Sequence, residues 1–122
     1  EIRRQLMGDA MVENMATTTY NNPTMAKFGQ YTSEAIFGML WSRPGLDLKT
    51  RTLICVISDT STGRWPELEI HLRMALRQGW TEDELGEVLL HLGGYIGVPS
   101  IREAMVIADK VFTEMAAEGS AD

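Results

Sequence analysis

The sequence predicts an all-α fold, on three observations. Apolar residues recur at spacings of three and four, as in Ile101, Met105, Ala108, Phe112 and Met115. No apolar–polar alternation bounded by turn residues lasts long enough to build a sheet. Helix-start and helix-stop residues divide the chain into roughly six segments of helical length.

The first segment spans Ile2 to Met15, with Ile2, Leu6, Val12 and Met15 facing inward. Asn22 before Pro23 starts the second, because proline is tolerated in the first turn of a helix. That helix runs to Trp41 and stops before the Pro44-Gly45 turn. Asp47 caps a third helix, Leu48 to Thr62, closed by Gly63. Its middle, Leu53 to Ile57, is apolar all round, which predicts a helix buried at the centre of the domain. The fourth begins near Pro66 and ends at Gly79, with Leu68, Leu72, Ala75 and Leu76 inside and Glu69, Arg73 and Arg77 as an outer charged ladder. Thr81 and Glu84 form a capping box for the fifth, which buries Leu85, Val88, Leu89 and Leu92 and runs to Gly93 or Tyr95. Pro99 opens the sixth, and the tail from Ala116 to Asp122 reads as polar and frayed.

A chain of 122 residues is one domain, 1–122, and is large enough to hold a core without metal or disulfide. Its 11 basic and 17 acidic residues give a net charge of −6, which argues against nucleic acid as partner. A single cysteine excludes an internal disulfide, a two-cysteine redox centre and a multi-cysteine zinc site. No apolar run approaches the ~20 residues of a membrane span, and no leader is visible, so the expectation is a cytoplasmic protein without a membrane partner. Eight methionines suit adaptable packing, in the core and against a second copy of the chain.

Both histidines follow a glutamate by four residues, Glu67 with His71 and Glu87 with His91. On a helix that spacing places each pair on one face, where a carboxylate orients an imidazole for proton transfer. His71 lies at the edge of the apolar stripe of its helix, and His91 lies on the polar face of the next, with Tyr95 one turn on. Metal centres of helical bundles use Glu-x-x-His, a spacing one residue shorter, so no metal is expected. Cys55, in the apolar middle of the third helix, reads as a small buried hydrophobe and not a nucleophile. The glycines at 93, 94 and 97 follow no strand, so they mark close helix packing or a tight turn and not a phosphate loop. Arg51, opening an apolar helix, and Arg43, in a loop, are the candidate anchors for an anionic substrate.

These segments, in this order, resemble one family. Trp41-Ser42-Arg43-Pro44-Gly45-Leu46-Asp47, then Lys49-Thr50-Arg51-Thr52-Leu53, is similar to carboxymuconolactone decarboxylases. So is Gly63-Arg64-Trp65-Pro66-Glu67-Leu68 with His71 and Ala75-Leu76, and so are Gly79-Trp80-Thr81 and Tyr95-Ile96-Gly97-Val98-Pro99. The resemblance covers about residues 35 to 115. It implies an alkylhydroperoxidase D-like helical fold assembled into a ring-shaped homo-oligomer, a homotrimer or homohexamer. It implies cofactor-independent decarboxylation of a small anionic lactone, as in the 3-oxoadipate route of aromatic degradation. The redox branch of the family uses Cys-x-x-Cys-x-x-x-His; here Arg64 and Glu67 stand at the cysteine positions, so redox activity is not expected. His91 and Gly93-Gly94 depart from the decarboxylase pattern beside Tyr95, which bears on the substrate.

On this reading His71, held by Glu67, donates the proton, Arg51 stabilises charge, and Arg43, His91 and Tyr95 contact substrate. The ring carbonyl itself accepts the electron pair, so no cofactor is needed. Two alternatives stand beside it: a hydrolase or isomerase of a related lactone or keto acid, and a non-catalytic oligomeric binding module whose Glu–His pairs are spent on subunit contacts.

Overall fold

The structure is a computed structural model that describes residues 1–121, with side chains through residue 119. The described residues form seven α-helices and one π-helical stretch, with no strand. They divide into two compact units, Glu1–Leu48 and a second from Lys49 onward.

In the first unit the helix expected over residues 2–15 is two helices, α1 (Ile2–Met7) and α2 (Asp9–Thr18). They meet at Gly8, whose φ of 86° and ψ of 153° lie outside any helix. Leu6 and Met7 are buried, whereas Ile2, Val12 and Met15 are only half-buried. Asn22 caps α3 (Pro23–Tyr31) as expected, its side chain accepting from the Met25 N–H at 3.0 Å. The expected continuous helix to Trp41 changes register at Thr32, and Thr32–Leu40 is π-helical. Its end is marked by the Trp41 N–H, which donates to the Ile36 carbonyl five residues back at 2.8 Å. Gly38 permits this wider turn, since a Cβ there would sit 3.0 Å from the Ser33 carbonyl oxygen. The Arg3 guanidinium lies over the rings of Tyr20 (5.0 Å) and Phe37 (5.7 Å), tying α1 to the α2–α3 turn and to the π-helical stretch.

The second unit holds α4 (Leu48–Thr62), α5 (Trp65–Arg77), α6 (Glu82–Ile96) and α7 (Val98–Ala121). The bounds of α4 are those expected from Asp47 and Gly63. Helices α5 and α6 both pack on α7. The core comprises Val56, Leu68, Leu72, Ala75, Leu85, Leu89, Ala104, Ala108 and Val111, all essentially inaccessible. Burying each of these leucines stabilises the fold by about 1.5–3 kcal/mol. The stripe of α7 holds Ile101, Ala104, Ala108 and Val111, with Met105, Phe112 and Met115 packed at its flank. Small residues on the contact line bring α6 and α7 close: a Cβ on Gly93 would meet Ile101 Cγ1 at 3.3 Å.

Three expectations change here. Helix α4 is not buried all round: Val56 is fully enclosed, but Ile54 is 50% exposed. The charged ladder of α5 is a latch to α7. Arg73 pairs with Glu114 and, at 3.2 Å, with Glu118, while Lys110 bonds Glu69 at 3.0 Å. Two carboxylates one turn apart on α7 offer Arg73 more than Glu69 on its own helix. Finally, α7 continues through Ala121, so most of the tail is helical; Asp122 lies outside the described residues.

The capping box of α6 is present in both directions: the Glu84 N–H donates to Thr81 Oγ1 at 3.1 Å, and the Thr81 N–H donates to Glu84 Oε1 at 3.0 Å. That backbone bond holds the Glu84 carboxyl below its ordinary range. Among the described residues no helix is long and apolar enough to cross a membrane.

Candidate active site

The turn between α4 and α5 builds the site. Gly63 adopts φ +69°, a conformation that favours glycine. The Arg64 N–H then reaches back to the Asp59 carbonyl at 2.9 Å, the six-to-one bond of a Schellman cap. This cap ends α4 and reverses the chain, and Pro66 in the first turn starts α5 at once. The reversal brings His71, in the second turn of α5, against Asp59, in the last turn of α4.

His71 Nδ1 is hydrogen-bonded to Asp59 Oδ2. The Asp59 side chain is 7% exposed and that of His71 21%. A carboxylate this deeply enclosed needs a donor, because an unpaired buried charge is strongly destabilising. A carboxylate only accepts, so Nδ1 carries the hydrogen and donates it. The tautomer is thereby fixed, and Nε2 is left as the nitrogen available for proton exchange. A carboxylate that orients an imidazole from a neighbouring helix is an arrangement that can serve proton transfer.

This corrects the sequence expectation. Glu67 is exposed in the first turn of α5 and makes no bond to His71; the imidazole is bonded to Asp59 instead. The four-residue spacing puts Glu67 on the right face, but in water it gains little from an ion pair. Asp59 lies 12 positions away in sequence and is already buried, so the imidazole is its compensation.

Cys55 precedes Asp59 by one turn of α4 and is half-buried. Burial first, and then the Asp59 carboxylate, push its thiol up to about 11. At pH 8 about one thiol in a thousand is ionised, against a substantial fraction in an unfolded chain. The expected result is that a disulfide reagent at pH 8 labels the native protein roughly a hundredfold more slowly than the denatured protein. Labelling should accelerate as pH rises toward 11. Comparable rates in both states at pH 8 would show an open, acidic thiol instead.

Arg51 is half-buried on α4, two turns before Asp59 on the row Arg51, Cys55, Asp59. His91 is exposed on α6, as its polar face predicts, and its ring sits 5.4 Å from the exposed ring of Tyr95. With Ile57, Glu87, Val88 and Leu92, His91 lines a cavity of about 400 Å³ between α4 and α6. His71, Asp59 and Arg51 are not among its walls. Arg43 is exposed in the turn after the π-helical stretch, in the first unit. The structure thus joins His71 to a partner the sequence did not nominate and places His91 and Tyr95 together. Asp59 carried one overlooked signal: it is the only acidic residue of α4, set among apolar and hydroxyl side chains.

The carboxymuconolactone decarboxylase family model matches residues 26–110. The chain is 35% identical over 115 residues to the 4-carboxymuconolactone decarboxylase of Acinetobacter baylyi, covering 94% of this chain and 84% of that protein. It is 34% identical over 121 residues to the nitrosuccinic acid decarboxylase of Metarhizium robertsii, covering 98% of this chain and 82% of that one. An uncharacterised 15.0 kDa protein of Paracoccus denitrificans is 35% identical over 83 residues, 66% of this chain and 62% of its own length.

Proposed function

The chain belongs to the carboxymuconolactone decarboxylase family, and from that premise we propose that it is a cofactor-independent carboxy-lyase acting on a small activated carboxylate. The observation that carries the reading within this chain is the Asp59–His71 pair. It supplies a proton donor and acceptor of fixed orientation, which is what the second half of a decarboxylation requires.

Heterolysis of the bond to the carboxylate releases carbon dioxide and leaves the electron pair on carbon. In a carboxymuconolactone the butenolide ring carries that pair to the lactone carbonyl oxygen. In nitrosuccinic acid the nitro group takes it. The substrates named for the two relatives therefore share a built-in electron sink beside the departing carboxylate, and both carry a second carboxylate. The substrate class proposed here is that shared chemistry, with a lactone carboxylate as the specific member. With a proton taken up from solvent on Nε2, the His71 imidazolium protonates the carbon and returns to the neutral ring, while Asp59 holds that ring through Nδ1. Arg51 is proposed to offset the developing negative charge. Arg43, His91 and Tyr95 are proposed substrate contacts, and the His91 cavity is wide enough for a molecule of this size. Self-association into a ring is proposed with it, supported by apolar side chains left open on the second unit, among them Ile54, Leu90, Val98 and Val106.

The test is carbon dioxide release from 4-carboxymuconolactone and, in parallel, from nitrosuccinate. Release from either is the expected result. A lactone consumed without carbon dioxide would overturn the reading in favour of hydrolysis or isomerisation. No turnover by the folded protein of a wider set of activated carboxylates would overturn it in favour of a binding module.

A further inference from the structure

The first unit contains a cation that its own fold does not neutralise. Arg3 and Arg4 are neighbours with opposite fates. Arg4 is an ordinary surface arginine, within 3.2 Å of Asp9 and 3.8 Å of Glu13. Arg3 is half-buried, its Nε is shielded from solvent with no hydrogen-bond partner, and no carboxylate among the described residues forms an ion pair with it. The rings of Tyr20 and Phe37 both lie against its guanidinium, whose central carbon is 5.0 Å and 5.7 Å from their centroids. A guanidinium offers its N–H groups along its edge, and that edge is the geometry that grips a carboxylate with two parallel bonds.

Arg3 also lines two cavities. One, of about 280 Å³, has Val12, Ala16 and Tyr20 as apolar wall and Gln30 and Ser33 as polar wall. The other, of about 210 Å³, includes the side of Glu1, whose charge opposes an anion. We propose that the first cavity is a binding site for a small carboxylate with an apolar body, held at the carboxylate by the edge of Arg3 and along its body by Val12, Ala16 and the Tyr20 ring. The pairing gives a partner to a half-buried cation that no carboxylate among the described residues neutralises, and an occupant to a cationic hollow in a protein of net charge −6. Gln30 supports it through its amide, one N–H of which is held by Glu34 at 3.3 Å. The proposal is independent of the carboxy-lyase reading, because its residues all lie in the first unit and include none of the catalytic pair.

Benzoate is the probe, with benzamide as the neutral control of the same shape. Each is titrated into the full ¹⁵N-labelled chain at constant ionic strength while the arginine Nε–Hε resonances are followed. The Arg3 resonance is expected to shift saturably with benzoate and not with benzamide. Arg3→Gln is expected to weaken binding about tenfold or more. Gln30→Ala, at an exposed position that leaves the fold intact, is expected to weaken it several-fold, and His71→Asn to leave it unchanged. An unmoved Arg3 resonance, equal affinity in folded Arg3→Gln, or equal shifts with benzamide would overturn the site. Loss of the shift in His71→Asn would also overturn it, by moving the anion to the catalytic pair. If Arg3→Gln fails to fold, the Arg3 resonance and Gln30→Ala still decide.

Discussion

A His71→Asn protein is expected to fold as the parent does and to release carbon dioxide about 10²–10⁴-fold more slowly. The choice of asparagine follows from the geometry. Its amide nitrogen stands near the position of Nδ1 and keeps an N–H on the enclosed Asp59 carboxylate. The structural bond is retained while the titratable nitrogen Nε2 is lost. His71→Ala removes both, leaving Asp59, with its side chain 7% exposed, without its donor. That variant is expected to lose about 3 kcal/mol of stability as well as activity, read as a lowered denaturant midpoint. Glu67→Gln is the control and is expected to keep activity within a factor of about two, since an exposed carboxylate contributes little to its neighbours. A His71→Asn protein with parental turnover would remove His71 from the chemistry. A Glu67→Gln protein as impaired as His71→Asn would restore the same-helix pairing that the spacing predicts.

What the sequence made legible was local. The ends of α4, the proline start of α5, the capping box of α6 and the apolar stripe of α7 are each written within a few neighbouring residues; the structure has the first three, and on α7 it keeps Ile101 and Ala108 but fills the buried line with Ala104 and Val111, leaving Met105, Phe112 and Met115 at its flank. The misses share the opposite property. The π-helical register over Thr32–Leu40 changes hydrogen-bond partner by one residue without changing the apolar spacing enough to announce it. The break at Gly8 depends on a backbone conformation that a lone glycine permits but does not require. Arg73 finds Glu114 and Glu118 across more than forty positions, where spacing offered only Glu69. The site shows the same contrast. His71 was visible because it sits at the edge of an apolar stripe beside a four-residue glutamate. Asp59 was not, because nothing local says that a turn at Gly63 folds one helix end onto the next. A spacing rule sees partners on one helix, and the stronger partner of a buried base is usually on another, where solvent is excluded from both.

Asp59→Asn is the sharper test of that arrangement. Asparagine preserves the size of the side chain and removes its charge. Its amide either presents a neutral oxygen to Nδ1 or turns its N–H toward it, and the second orientation forces the hydrogen onto Nε2 and reverses the tautomer. The expected result is a fall in kcat of about 10–100-fold with KM nearly unchanged, the mark of a positioning residue that does not touch substrate. Stability is expected to change little, because a buried charge is removed and a donor remains. Two further readouts separate positioning from damage. In a His71→Asn background, Asp59→Asn is expected to cost no further activity, since its whole effect passes through the imidazole. Additive losses would instead show that Asp59 acts elsewhere. The Cys55 thiol gives the second readout. The Asp59 carboxylate is the lesser of the two causes that raise it, so in Asp59→Asn the thiol is expected to ionise at lower pH than in the parent. It should still ionise above its ordinary range, because burial, the larger cause, remains. A thiol titration unmoved by the substitution would mean that Asp59 carries no charge beside His71, and the orienting carboxylate would have to be sought on another helix.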